Sequence, residues 1–97
     1  MKIRFLSLAE EDLQDAFVWY ERQRSGLGYE FMVEFDNCIA HVRRFPEASP
    51  ADTDGVRRAL INRFPYCVRY IIESDFVVIY AVSHLHREPR YWSDRLS

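Results

Sequence analysis

Two strand-forming segments joined by three polar residues constrain the fold of this chain more than any other feature. Residues 66–72 and 76–84 are dense in β-branched and aromatic side chains, and Glu73-Ser74-Asp75 separates them. Such residues favour strands, and so short a connection joins neighbouring antiparallel strands. We therefore predict a β-hairpin. Its second strand is apolar on both faces, so we expect it to be central in the sheet or covered again by the tail that follows.

Two amphipathic helices are predicted before this hairpin. Ser7 and Glu10 have the spacing of a capping box, which predicts that the first helix starts at this serine. Apolar residues then recur at steps of three and four, first up to a glycine-containing turn and again from about Tyr29. Pro46 ends the second helix. Because the turn is short, the helices should pack as an antiparallel pair.

The order of predicted elements gives the fold class. A short strand at residues 1–6 precedes the helices, and a loop rich in Pro, Ala, Ser, Thr and Asp at residues 47–55 leads to a strand near Val56 and then to the hairpin. We predict an α+β fold with an N-terminal strand, suited to an edge or paired position, followed by an antiparallel helical hairpin that packs on one face of a small antiparallel sheet. A chain of 97 residues suits a single domain spanning residues 1–97.

Composition excludes several classes of function. No apolar run approaches the ~18 residues that cross a bilayer, and the N-terminus lacks the apolar core of a secretory leader, so we expect a cytoplasmic protein with no membrane partner. Three glycines leave no room for a phosphate-binding loop, and we expect no cofactor. Cys38 and Cys67 are interpreted as reduced core thiols. His84 and His86 lack a third ligand at plausible spacing, so no metal site is predicted.

Charge is unevenly distributed along the chain. Residues 1–54 carry eleven acids and six bases, whereas residues 55–97 carry seven bases and four acids. Twelve of the thirteen bases are arginine, whose planar fork suits contacts with carboxylates, phosphates or aromatic rings. This excess of arginine indicates either recognition by the basic half or a compositional bias of the lineage.

The segment after the last predicted strand is the most polar and aromatic of the chain. Histidine, arginine and tyrosine together can serve a metal-free ribonuclease, through general acid–base transfer and stabilisation of a phosphorane. A structural alternative is that His84 and Tyr91 satisfy hydrogen bonds at the end of the sheet while Trp92 covers the core.

A set of short motifs resembles the RelE/ParE superfamily of bacterial type II toxins, in particular its ParE-like, plasmid-stabilisation branch. The motifs are Arg63-Phe64-Pro65-Tyr66, Val68-Arg69-Tyr70, Ala81-Val82-Ser83-His84, Arg87-Glu88-Pro89 and Tyr91-Trp92-Ser93-Asp94-Arg95. The resemblance implies a RelE/ParE-like fold with a short helical C-terminal tail. It also implies a growth-arresting toxin that a small ParD-type antitoxin neutralises in a hetero-oligomer.

The resemblance leaves two targets to decide between, because ParE-type toxins poison DNA gyrase whereas RelE-type toxins cleave mRNA on the ribosome. The ribonucleases have an arginine where this chain has Cys67, a lysine-rich strand where it has residues 56–60, and a late arginine where it has His86. The net charge of −2 also opposes RNA binding. We expect inhibition of DNA gyrase. The alternatives are a metal-free mRNA endonuclease using His86, Arg87 and Tyr91, and a toxin that has lost toxicity.

Binding residues follow from the same resemblance and from the arginine distribution. The residues expected to bind the target are Arg63, His84, Arg87, Arg90, Tyr91, Trp92 and Arg95. The residues expected to bind the antitoxin are Trp19, Tyr20, Arg57, Arg58 and Arg69.

Overall fold

A computed structural model describes residues 1–86 and Arg95 of the chain. Its elements are β1 (Lys2–Phe5), α1 (Ser7–Gln23), α2 (Leu27–Arg44), β2 (Arg57–Leu60), β3 (Tyr66–Glu73) and β4 (Phe76–His84). The predicted helical tail falls outside these residues. The two helices and the sheet form the predicted α+β fold, with the helices packed on one face of the sheet.

The sheet has the strand order β1-β4-β3-β2. β2, β3 and β4 pair in antiparallel fashion as predicted, and β4 lies centrally, buried from Val77 to Ser83. β1 pairs with β4 in parallel, with Lys2 opposite Phe76 and Phe5 opposite Ile79. The predicted antiparallel pairing thus holds for β2, β3 and β4, and the parallel pairing of β1 makes the four-stranded sheet mixed. Parallel neighbours need a long crossover instead of a tight turn, and the two helices with β2 and β3 supply it.

α1 begins without the predicted capping box. Leu6, still extended at ψ 149°, is the residue before the helix, and no side chain caps it. Its amide donates to the carbonyl of Ile79 at 2.9 Å, so the chain remains strand-like to this point and Ser7 is already helical. The Leu6 carbonyl accepts from the amides of Ala9 and Glu10 instead.

The two helices are in close contact at Gly28, near the start of α2, which begins two residues before the predicted position. A Cβ atom at this residue would lie 2.7 Å from the Phe17 carbonyl oxygen and 2.7 Å from the Cγ of Glu21. The Gly28 amide also donates to Glu21 Oε1 at 2.8 Å. Contact of this kind leaves no space for a side chain.

Gly28→Ala should therefore destabilise the protein. Overpacking costs about 1–3 kcal/mol, which exceeds the up to ~1 kcal/mol that alanine gains over glycine in a helix. Urea unfolding measures the net effect. Ala40→Gly, at an exposed position of the same helix, is the matched control for the intrinsic difference between the two residues. If Gly28→Ala raised the free energy of unfolding by as much as Ala40→Gly lowers it, the close contact at Gly28 would be disproved.

The core between helices and sheet centres on aromatic rings. Phe31 is fully buried, and its ring centroid lies 5.3 Å from that of Tyr20, 5.2 Å from Phe64 and 5.3 Å from Tyr66. Tyr70, also fully buried, donates its hydroxyl to the Pro46 carbonyl at 2.7 Å and so fixes the loop after α2. These rings hold β3 under both helices.

Both cysteines are free and buried, as predicted. Burial, with a smaller effect from the nearby Cys67, raises the pKa of the Cys38 thiol to about 11. Cys67 lies on the other face of the sheet, with its sulfur 3.7 Å from Ser83 Oγ. Within the part of the chain described, neither helix has the length and apolar character needed to span a membrane.

Candidate functional site

Aromatic and imidazole rings gather where β3 begins and β4 ends. Tyr66 and His84 are partners in the strand register, and their rings meet edge to face at 5.3 Å. The His86 ring lies 5.3 Å beyond that of His84, whose Nδ1 accepts the His86 amide hydrogen at 3.1 Å. The predicted target residue His84 therefore lies at an exposed corner of the sheet next to the first turn of the tail.

α1 forms the second wall of a cleft at this corner. The cleft has a volume of about 230 Å³, and its lining residues are Asp12, Asp15, Ala16, Trp19, Tyr66, Val82, Ser83 and His84. Trp19 is 57% exposed. The structure thus places Trp19, predicted to bind the antitoxin, in the same cleft as His84, predicted to bind the target.

Tyr20 packs differently from its neighbour Trp19. Its ring stacks on Phe31 and meets Phe64 and Tyr66 at 4.8 and 5.9 Å. Burial, and secondarily Tyr66, raises the pKa of the Tyr20 hydroxyl. Most of its ring supports the core, and its role as an antitoxin anchor stays a prediction.

Arg63 is held against α2. It adopts a left-handed backbone with φ 72°, and its guanidinium lies 3.0 Å from Glu30 and 3.7 Å from Glu34. The hydrogen bond from Arg63, together with one from Arg24, lowers the pKa of the Glu30 carboxyl. The predicted target contact by Arg63 is untested, and this ion pair would have to open for it.

The three arginines predicted to bind the antitoxin lie on two faces of the sheet. Arg57 points to the helix side, where it donates to the carbonyls of Glu47 and Ser49. Arg58 and Arg69 are direct cross-strand partners on the opposite face, beside a cleft of about 460 Å³ that Leu60 also lines. Leu60 is 61% exposed. This face therefore offers two arginines next to an apolar side chain.

Tyr80 lies on this second face of the sheet, next to the β-bulge where the register of β3 and β4 shifts between Arg69 and Tyr70. The Tyr80 side chain is 1% exposed. Burial raises the pKa of its hydroxyl to about 12, although the hydrogen-bonded Arg69 opposes the shift. Tyr80 therefore stabilises the fold as a neutral phenol.

Tyr80 should make folding sensitive to strongly alkaline pH. Its pKa is about 12 in the folded chain and about 10 in an unfolded one. The stabilisation is therefore complete below about pH 10, and it is lost as the pH rises from about 10 to about 12. The ionisation of Tyr80 is measured as the ultraviolet tyrosinate absorbance that the wild type shows and Tyr80→Phe lacks. We expect the midpoint of this difference near pH 12 in native protein and near pH 10 in urea. A native signal centred near pH 10 would contradict this burial.

Arg95 and Asp12 form a buried ion pair that sequence analysis missed. Two guanidinium nitrogens of Arg95 contact the two Asp12 carboxylate oxygens at 2.6 and 3.2 Å, and one of them also donates to the Tyr80 carbonyl at 3.1 Å. Both side chains are 8% exposed. Asp12 additionally accepts the Val82 amide hydrogen at 3.1 Å. The pair ties residue 95 to α1 and β4, an internal arrangement unlike the target contact expected of Arg95.

Four predicted site residues, Arg87, Arg90, Tyr91 and Trp92, lie outside the described residues, so the predicted catalytic set His86, Arg87 and Tyr91 is represented by His86 alone. Across residues 1–86 and Arg95, no three His, Cys, Asp or Glu side chains are arranged to hold a metal ion. The described site consists of clefts, aromatic rings and arginines, which suit binding to a macromolecule.

Comparisons with known proteins give a family from the sequence and a matching fold from a solved structure. Residues 3–89 match the model of the ParE toxin of the type II toxin-antitoxin system parDE. A solved structure described as the chromosomal ParDE toxin-antitoxin system from P. aeruginosa contains a chain with the same fold, at a TM-score of 0.66 and 14% sequence identity. The similarity covers 87% of this chain and 95% of that one. No curated protein matches the chain in sequence.

Proposed function

This chain belongs to the ParE toxin family of type II toxin-antitoxin systems, and we propose that it arrests bacterial growth by inhibiting DNA gyrase until a ParD-type antitoxin binds it. Both partners are cytoplasmic in this proposal. The toxin and antitoxin form a hetero-oligomer, and neither metal nor cofactor takes part.

Burial of Cys67 is the observation that carries the choice of target. The ribonucleases of the superfamily that this chain resembles have an arginine at this position. Cys67 here is instead fully buried beside Ser83. A buried thiol cannot contact a phosphate or stabilise charge on a reacting RNA. The net charge of −2 points the same way, because RNA binding draws most of its affinity from neutralising phosphates.

The surface proposed to bind gyrase is the corner of the sheet at His84 together with the tail residues Arg87, Arg90, Tyr91 and Trp92. His84 is partly exposed there, and its Nδ1 accepts the His86 amide hydrogen. Arg63 and Arg95 belong to the same proposal, but each is engaged in an internal ion pair. We expect Arg63 and Arg95 first to stabilise the target-binding surface through these ion pairs. Direct contact with the target would follow only when the ion pairs open.

The surface proposed to bind the antitoxin includes Arg58 and Arg69. They are direct cross-strand partners, and their guanidinium groups suit hydrogen bonds with carboxylates of a partner. The exposed Leu60 beside them offers an apolar anchor. Trp19 and Tyr20 on α1, and Arg57 through the loop it holds, complete the antitoxin contacts in this proposal.

One paired assay tests the target. Purified toxin is incubated with gyrase and supercoiled plasmid, and in parallel with a translating extract in which mRNA cuts are mapped. Trapped DNA breaks in the first reaction, reduced by Trp92→Ala, are expected. Codon-specific mRNA cuts that depend on His86, Arg87 and Tyr91 would instead establish the ribonuclease alternative. If neither DNA breaks nor mRNA cuts form and cells continue to grow, the chain has lost toxicity.

Charge reversal tests the antitoxin surface separately from the target. Arg58→Glu should leave growth arrest intact while making a co-expressed ParD-type antitoxin unable to restore growth. Arg44→Glu, at an exposed position near the end of α2, is the control and should remain neutralised. Equal neutralisation of both variants would remove Arg58 from the interface.

A further inference from the structure

Trp19 and Asp15 occupy an unusual place on the surface of α1. They lie one helical turn apart, so their side chains share a face. Together they line the cleft of about 230 Å³ beside β4 and a larger one of about 540 Å³ that runs along α1 past Glu11 and Arg22. The Trp19 indole therefore lies between the two clefts, and the Asp15 carboxylate lines both of them.

Within residues 1–86 and Arg95, neither side chain has a polar or aromatic partner. Asp15 is exposed and forms no ion pair or hydrogen bond with any residue that the structure describes. Trp19 is 57% exposed, and its ring is absent from the aromatic contacts within that same part of the chain. Because a solvent-exposed tryptophan beside an unpaired carboxylate gains little in folding, a bound partner is the better explanation for the pair.

The chemistry of this pair suits a guanidinium group. A carboxylate binds the planar fork of arginine with two hydrogen bonds, and an indole face attracts the same cation. The neighbouring carboxylate on the same wall already does this, since Asp12 holds the Arg95 guanidinium through both oxygens. α1 thus carries one carboxylate, Asp12, that binds a guanidinium and, one turn further, a second carboxylate, Asp15, next to the Trp19 indole.

The size of the cleft indicates a side chain instead of a free metabolite. Its volume of about 230 Å³ is below the ~300–1,000 Å³ typical of small-molecule pockets. The small side chain of Ala16, which is 2% exposed, forms part of its lining. An extended segment that folds along α1 can insert one side chain here while its other residues follow the larger groove.

We propose that Asp15 and Trp19 bind an arginine side chain of the antitoxin. The identity of the partner rests on the proposed function, whereas the chemistry of the site does not. The antitoxin accordingly presents a cation to α1 and carboxylates to Arg58 and Arg69, which fixes the direction in which its chain crosses the toxin. An antitoxin bound in the reverse direction would place its carboxylates near Asp15 and its arginine near Arg58 and Arg69, so like charges would meet at both surfaces.

The chemistry is tested first with a defined probe. N-acetyl-arginine methylamide is titrated into ¹⁵N-labelled protein while the Trp19 indole signal, identified with Trp19→Phe, is followed by NMR. We expect saturable shifts with arginine and none with the neutral citrulline analogue. Asp15→Asn should weaken arginine binding about tenfold or more, a change of ~1.4 kcal/mol. Asp36→Asn, at an exposed position on α2, is the matched control and should bind as the wild type does.

The partner is tested in cells that co-express a ParD-type antitoxin. The Asp15→Arg toxin should no longer co-purify with the antitoxin, and exchange of one antitoxin arginine for glutamate should restore the complex. Complex formation is the readout because Asp15 lines the same cleft as His84, which is proposed to bind the target. Absence of saturable shifts with arginine, or undiminished co-purification of Asp15→Arg with the antitoxin, would overturn this inference while leaving the proposed function intact. Failure of the antitoxin to neutralise the wild-type toxin would instead count against the proposed function.

Discussion

Replacing Asp12 by alanine should lower the free energy of unfolding by about 3–5 kcal/mol. The change leaves the Arg95 guanidinium buried without its carboxylate and removes the acceptor of the Val82 amide hydrogen. Such a loss is a large part of the ~5–15 kcal/mol that stabilises a typical domain. Urea unfolding followed by circular dichroism measures it. Asp36→Ala, at an exposed position, should stay within about 0.5 kcal/mol of the wild type.

A double-mutant cycle separates the ion pair from the rest of this effect. Asp12→Ala combined with Arg95→Met should be more stable than Asp12→Ala alone, because no guanidinium is then left buried without an anion. Strict additivity of the two single changes would show that the pair does not couple residue 95 to α1. The same cycle scored for growth arrest would reveal whether anchoring of residue 95 matters for toxicity.

Phe31→Ala should cost about 3–5 kcal/mol through the cavity it leaves. The ring is fully buried and contacts Tyr20, Phe64 and Tyr66, so its removal withdraws support from both helices and from the start of β3. Thermal and urea unfolding both report the loss. Because Tyr66 also lines the cleft at His84, the change should broaden NMR signals of that corner.

The conservative change at the same position is the control. Phe31→Leu keeps most of the apolar volume and should cost clearly less than Phe31→Ala. Val33→Ala on the exposed side of α2 should have little effect, since that side chain is 58% exposed. Equal effects of Phe31→Ala and Val33→Ala would contradict the aromatic core.

Local signals in the sequence were sufficient for most of the fold. The polar residues Glu73–Asp75 between two strand-forming runs predicted the hairpin, and the two-sided apolar pattern of residues 76–84 predicted a central strand. The helices followed from periodicity. The parallel pairing of β1 was missed because hydrophobic alternation shows that a strand exists but carries no information on the direction of its neighbour.

Features that depend on distant residues were not predictable in the same way. Asp12 and Arg95 are ordinary charged residues in the sequence, and only the fold brings them to 2.6 Å. Arg63 was predicted to bind a target, and only the fold shows that its guanidinium lies 3.0 Å from Glu30. The cleft that Trp19 lines also needs His84 and Tyr66, which lie far from Trp19 in the sequence.

Pairing of the first strand with the last has a consequence for how this protein is made. β1 is synthesised before its partner, which begins at Phe76, so this pairing cannot form until the residues between them have been made. Contacts between such distant segments also slow folding, because a long loop must close before they form. A nascent chain therefore cannot complete its sheet until β4 has been synthesised.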